Sequence, residues 1–227
     1  MLSVLYDPDL ETFVARLHER SERQSAETKA FYAARTQDGE SATLDDDLKK
    51  RFMSDKMVAL EPDKAQFCYQ LCRALGARRV VEVGTSFGVS TIYLAAALRE
   101  NARSSGGDHL VIGTEHEAAK ARSARANFKA VGLDGFIELR EGDLRETLRD
   151  VGGPVDFVLI DIWTRMARAA LELVTPFLRR GAVVVCDNTE SLRAEYADYF
   201  AFIASAANRP STMTLPFHGG LEMTVFP

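Results

Sequence analysis

Cysteine is scarce in this chain. Cys68, Cys72 and Cys186 are too few and too unevenly spaced to make a disulfide framework. Cys68 and Cys72 stand four apart and could share a helix face, but no second pair completes a zinc site, so all three are expected to be small buried hydrophobes. Hydrophobic residues make up 46% of the chain, yet no apolar run approaches a membrane span, so a membrane partner is not expected. The opening MLSVLYDPDLETF lacks the basic, apolar and cleavage regions of a signal peptide, which predicts a cytoplasmic protein. There is no excess of positive charge either. With 28 Lys and Arg against 33 Asp and Glu, the net charge is −5 and no basic stripe is present, which argues against nucleic acid as a partner. No repeat or low-complexity tract appears.

What is present centres on residues 80–98, VVEVGTSFGVSTIYLAAAL. The first four residues are a short β-branched run that reads as a buried strand. The chain then breaks at Gly84, turns through Thr85, Ser86, Phe87 and Gly88, and resumes as a helix with Ser90 and Thr91 near its start. Strand, glycine turn and helix make a nucleotide cradle, because glycines let the backbone approach a ligand and a helix N-terminus presents free N–H donors. A dinucleotide-binding turn would read G-x-G-x-x-G, with space for a pyrophosphate. Here Glu82 precedes the turn, and a carboxylate there repels a pyrophosphate but attracts an ammonium or sulfonium group. The pattern points to S-adenosylmethionine, against the plainer reading of a solvated glutamate beside an ordinary α/β turn.

Upstream, Leu10, Phe13, Val14 and Leu17 fall on one apolar face and predict a helical N-terminal cap over residues 1–35. Residues 36–50, TQDGESATLDDDLKK, are polar and acidic and predict a loop or mobile cover. Residues 1–50 are thus read as cap and cover, and 51–227 as the ligand-binding domain. Met53 and Met57 suit a pocket lining or core packing equally, ahead of a helix that starts at Glu61-Pro62-Asp63 and ends by Gly76. A second apolar run, LVIGTE, ends at Glu115. An acid at that strand end accepts ribose hydroxyls, the alternative being a first-turn acid for the helix over 117–130. Strands are also predicted over 136–143, 155–161 and 182–188, and a hairpin over 212–215 and 222–226 around PFHGG. This alternation predicts an α/β fold, a Rossmann-like, doubly wound, mostly parallel seven-stranded sheet with an antiparallel C-terminal hairpin strand. Ligands then gather at the carboxyl ends of its strands.

From about Phe52 to the C-terminus, the ordered set VVEVGTSFGVSTIYLAAAL, VIGTE, REGD, DIWT and CDN resembles the class I S-adenosylmethionine-dependent O-methyltransferases. The likeness is to the cation-dependent group that contains catechol and caffeoyl-CoA O-methyltransferases. The resemblance implies that Glu82 and Gly84 lie by the donor's methionine portion, that Ser90 meets its carboxylate and that Glu115 holds the ribose. It also implies that His116, Asp143 and Trp163 border the adenine. Asp161, Asp187 and Asn188 match the family's metal ligands, hard oxygen donors suited to Mg2+ or another divalent cation, with Asp161 also bordering donor and reacting atoms. A small phenolic or catecholic acceptor is implied, and a homodimer through the apolar N-terminal helices is an open expectation.

One position departs from that pattern. Three residues after Asp161, animal catechol methyltransferases and many bacterial relatives carry the lysine that takes the hydroxyl proton, whereas this chain has Thr164. A neutral hydroxyl is a poor base at pH 7. Either the metal alone lowers the acceptor's pKa or another group serves, Lys56 on the segment that would cover the site being one candidate, with a solvated lysine as its plainer reading. The departure keeps open a metal-independent methyltransferase and a non-catalytic donor-binding protein; a nicotinamide oxidoreductase is disfavoured by the glycine spacing and Glu82. Acceptor specificity is assigned to the N-terminal cover, residues 207–210 and the PFHGG loop.

Overall fold

A computed structural model describes residues 4–36, 46–205 and 209–227. In chain order its helices and strands are α1 (Pro8–Thr36), α2 (Asp46–Met53), α3 (Pro62–Ala74), β1 (Arg79–Val83), α4 (Val89–Ser105), β2 (Leu110–Glu115) and α5 (Ala118–Ala130). There follow β3 (Ile137–Glu141), α6 (Leu144–Thr147), β4 (Val155–Ile160), α7 (Thr164–Val174), β5 (Leu178–Asp187), α8 (Ala197–Ile203), β6 (Ser211–Leu215) and β7 (Leu221–Val225). The strands form one seven-stranded sheet in the order β3-β2-β1-β4-β5-β7-β6. Neighbours are parallel from β3 to β5, and β7 runs antiparallel to both β5 and β6. The expected α/β sheet is therefore present, with the C-terminal hairpin closing one edge.

The central strands are apolar throughout because both faces are covered. Val80, Phe157, Leu159, Val183 and Val185 face a layer built from α1, α3, α4 and α5, whereas Val81, Val83, Val158, Ile160 and Val184 face α6, α7 and α8. Leu10, Val14 and Leu17 of α1 are buried in the first of these cores. The three cysteines are free and buried, and burial pushes each thiol above its ordinary range, as expected of inert core residues.

Several boundaries differ from the sequence reading, and two of them have a clear physical cause. Residues 46–50, expected to belong to a loop or cover, lie in α2, whose Phe52 stacks on Phe31 of α1 with ring centroids 3.7 Å apart. This aromatic contact was hidden by a charge-rich composition. The rest of the expected cover, 37–45, lies outside the described residues, as do Ala207 and Asn208 of the segment assigned to acceptor specificity. Strand β5 begins four residues before the predicted start at 182, carried by pairing of Leu178 with Val155 rather than by an apolar run.

Register places the site. Val83 pairs with Thr114 on one side and Ile160 on the other, and Ile160 pairs with Cys186. One residue further along, Gly84, Glu115, Asp161 and Asp187 therefore line up across four neighbouring strand ends.

At the opposite end of the sheet, Asp156 fastens three strands. Its Oδ2 accepts from the backbone N–H groups of Arg78 (2.8 Å) and Arg79 (2.9 Å), and its Oδ1 pairs with the Arg179 guanidinium. Burial raises its pKa, but Arg179 and the two amides outweigh this and hold it below the ordinary 3.8. A depressed carboxylate contributes stability that is present above that value and lost as the pH falls below it. Asp156→Ala is expected to cost about 2 kcal/mol at pH 7 in denaturant titrations, with the gap from wild type narrowing in acid. An unchanged midpoint would show that the strands hold this register without it.

Candidate active site

The turn after β1 is shaped by contact rather than by flexibility. Gly84 has φ +101°, and a side chain there would drive into the carbonyl oxygen of Asp161. Ser86, a non-glycine residue, also adopts a left-handed backbone at φ 51°. It is held there by its own N–H, which donates to Glu115 Oε2 at 2.7 Å. Glu115 Oε1 accepts from Glu117 N, also at 2.7 Å. This carboxylate thus ties the turn to the start of α5, and each of its oxygens keeps a further lone pair. Between the turn, the first residues of α4 and residues 57–60 lies a cavity whose lining includes Met57, Leu60, Gly84, Ser86, Ser90 and Asp161. Met57 fulfils both alternatives open to it, being fully buried in the core and part of this wall.

Glu82 is wholly buried beneath the turn. Its Oε2 accepts from Thr85 Oγ1 at 2.8 Å and from Thr91 Oγ1, while Oε1 finds no partner among the described residues. Ser86 Oγ is likewise buried without a partner there. Burial raises the Glu82 pKa, the hydroxyls of Thr91, Ser90 and Thr85 oppose this, and the Glu115 charge adds to the rise. An unpartnered buried carboxylate oxygen is costly, and a cationic hydrogen-bond donor is the ligand that relieves it.

The same edge carries two more acids. Asp187 is 4% exposed, and Asp161 is half-buried. Burial pushes the Asp161 carboxyl well up, and the negative charges of Asp187 and Glu82 push it further. Asp187 is also raised by burial, against the pull of Lys64. Lys64, on the first turn of α3, is completely buried, its Nζ lying 2.6 Å from Asp187 Oδ1 and 2.8 Å from Glu61 Oε2. Burial disfavours its charged form, but the bonds to Asp187 and Glu61 prevail and hold the ammonium protonated. Asn188, at φ 57°, donates from Nδ2 to Asp187 Oδ2 at 2.8 Å.

A methyltransferase-domain family profile matches residues 81–189. A catechol O-methyltransferase of Mycobacterium tuberculosis is 33% identical over 168 residues, which span 74% of this chain and 73% of that protein. The chain belongs to the class I S-adenosylmethionine-dependent O-methyltransferases of the catechol and caffeoyl-CoA type. Two solved structures share its fold. The O-methyltransferase from Bacillus cereus in complex with SAH superimposes with TM-score 0.65 at 24% identity, over 86% of this chain and 96% of its own. The O-methyltransferase TomG from Streptomyces achromogenes, in complex with SAM, does so with TM-score 0.64 at 21% identity, over 82% and 93%. Membership sets aside the nicotinamide-oxidoreductase and non-catalytic readings.

In this methyltransferase the other expected site residues are more exposed. His116 follows Glu115 at the surface. Asp143 caps α6, its Oδ1 accepting from Arg145 N at 2.8 Å. Trp163, 45% exposed, precedes α7. The Thr164 hydroxyl donates to Glu195 Oε2 at 2.7 Å. Lys56 pairs with Asp55 at 3.1 Å and Glu27 at 3.5 Å, and these partners, Asp55 foremost, raise its pKa. Those partners favour the protonated form of Lys56. The sequence reading missed Lys64, Ser86 and Glu195. For Lys64 the available signal was a lysine inside the first turn of an otherwise apolar-faced helix, where the helix dipole disfavours a cation.

Asp187 and Glu82 both repel Asp161, and Lys64 offsets only part of that repulsion. Asp161→Asn, which keeps shape and removes one negative charge, is expected to raise the ligand-free melting temperature by a few degrees. A lower melting temperature in that variant would show that the carboxylate stabilises the fold and is not in conflict with its neighbours.

Proposed function

We propose that this enzyme transfers the methyl group of S-adenosylmethionine to a hydroxyl of a small phenolic or catecholic acceptor, with a divalent cation held by Asp161, Asp187 and Asn188. The observation that carries this reading is the gathering of three acids at one sheet edge, with Asp161 lining the cavity, Glu82 buried beneath its turn and Asp187 paired with Lys64. Two carboxylates and an amide oxygen at adjacent strand ends are the donor set a hard divalent cation takes. The named activity of the Mycobacterium tuberculosis relative supports the acceptor class. So does the apolar exposure of Val58 (53%), Trp163 (45%) and Leu192 (37%) on segments next to the cavity, Asp161 and Asn188 respectively.

In this reading the unpartnered Glu82 oxygen receives the donor's ammonium, Ser90 its carboxylate, and the spare lone pairs of Glu115 the ribose hydroxyls. His116, Asp143 and Trp163 border the adenine. A divalent cation, when bound, stabilises negative charge on the acceptor oxygen. The acceptor proton passes to solvent, because Thr164 is itself a donor to Glu195 and Lys56 is already protonated. The acceptor oxygen then attacks the methyl carbon as the carbon–sulfur bond breaks, and sulfur keeps the electron pair to give S-adenosylhomocysteine. The fold's main contribution is alignment, since oxygen, carbon and sulfur must lie in line.

Chelation with EDTA is expected to abolish turnover of a catechol and excess Mg2+ to restore it, while Asp187→Ala should need far more Mg2+ or be inactive. Full activity in EDTA would instead favour a metal-independent enzyme. For the proton, the rate on a catechol should rise with pH to a plateau in both wild type and Thr164→Ala, with similar maxima. A large loss of rate in Thr164→Ala would assign acceptor positioning to the Thr164–Glu195 pair and overturn solvent as the proton sink.

A further inference from the structure

We propose that Lys64 is a resident monovalent cation of this site, which holds Asp187 in place and weakens its hold on a divalent cation. The inference rests on the reading of Asp161, Asp187 and Asn188 as the cation ligands.

Apart from Glu61 three residues before it, nothing local favours a lysine here. Its position in the first turn of α3 sets an ammonium against the positive end of the helix dipole, and full burial removes its water. It persists because Asp187 and Glu61 grip it at 2.6 and 2.8 Å, from a strand end and from the residue before α3. Those contacts hold the Asp187 carboxylate from one side, while the Asn188 amide takes its second oxygen at 2.8 Å. Both oxygens of Asp187 therefore already serve a donor. A divalent cation arriving there must share them and lie close to a like charge. Glu61, Glu82, Asp161 and Asp187 make four acids, and Lys64, paired with Asp187 and Glu61, offsets one of them, so a divalent ion meets a more negative site once the lysine is neutral. Neutralising Lys64 should therefore tighten divalent binding even though it removes a support of Asp187, because full charges at these separations outweigh the lost hydrogen bonds.

The test is Mn2+ binding to the full-length enzyme saturated with S-adenosylhomocysteine, followed by calorimetry and by loss of the free-ion paramagnetic resonance signal. Lys64→Met and the more polar Lys64→Gln are compared with wild type, with Lys64→Arg as the charge-retaining variant; Lys64→Gln carries the test should Lys64→Met fail to fold. Affinity at least about tenfold higher in the neutral variants, with Lys64→Arg within about twofold of wild type, supports the proposal. Binding in the neutral variants where wild type shows none supports it equally. If wild type binds Mn2+, Asp161→Asn abolishes that binding and the neutral variants bind no more tightly, Lys64 is only a structural counter-ion and the cation reading survives. Absence of Mn2+ binding in every protein removes the cation site and the proposal with it.

Discussion

Like charges kept close together under a sheet edge are the constraint on which this structure depends. Glu82, Asp161 and Asp187 lie at or near the ends of three neighbouring strands, and burial raises the pKa of each, with neighbouring acids adding to the rise. A protein selected for stability alone would replace at least one of them. The arrangement survives because sheet pairing across β1, β4 and β5 fixes their spacing, and because hydroxyls and one ammonium offset part of the repulsion. What is left over is an excess of negative charge, which suits a sulfonium donor. Stability is given up where function needs an unbalanced site.

The glycine turn is the second consequence of the same packing. Gly84 is needed because the backbone of Asp161 leaves no room for a side chain, and the left-handed Ser86 is possible because Glu115 captures its N–H. One carboxylate at the end of β2 thus organises a turn at the end of β1, before any ligand arrives. Preorganisation of this kind lowers the ordering cost of binding, since the turn need not be fixed when the donor enters. Residues 57–60 complete the cavity wall, and they are themselves anchored to α1, where Ser21 and Gln24 bond the backbone of Met57 and Ala59.

Lys64 and Thr164 show how a local sequence change is read through the network around it. Viewed alone, Thr164 is a missing base. In the fold it is a donor to Glu195, joining the start of α7 to the segment before α8. Lys56, the obvious replacement by sequence position, is occupied by Asp55 and Glu27, whereas the lysine that reaches the acids comes from α3.

The sheet was legible from the sequence because buried parallel strands are short β-branched runs that end in turns, and the order of polar strand ends was legible with it. Glu115, Asp161 and Asp187 could be picked out because each closes an apolar run, and Glu82 because it is a charge inside one. That the first three stand in one row with Gly84, and that Asp187 and Glu82 both crowd Asp161, required the register of β1, β2, β4 and β5, which a linear sequence does not contain. The helix over 46–53 was hidden because its Phe52–Phe31 contact joins two segments of charged composition. Lys64 was hidden because an ion pair across 123 positions of sequence leaves no periodic trace, and only tertiary structure decides which of several lysines loses its water.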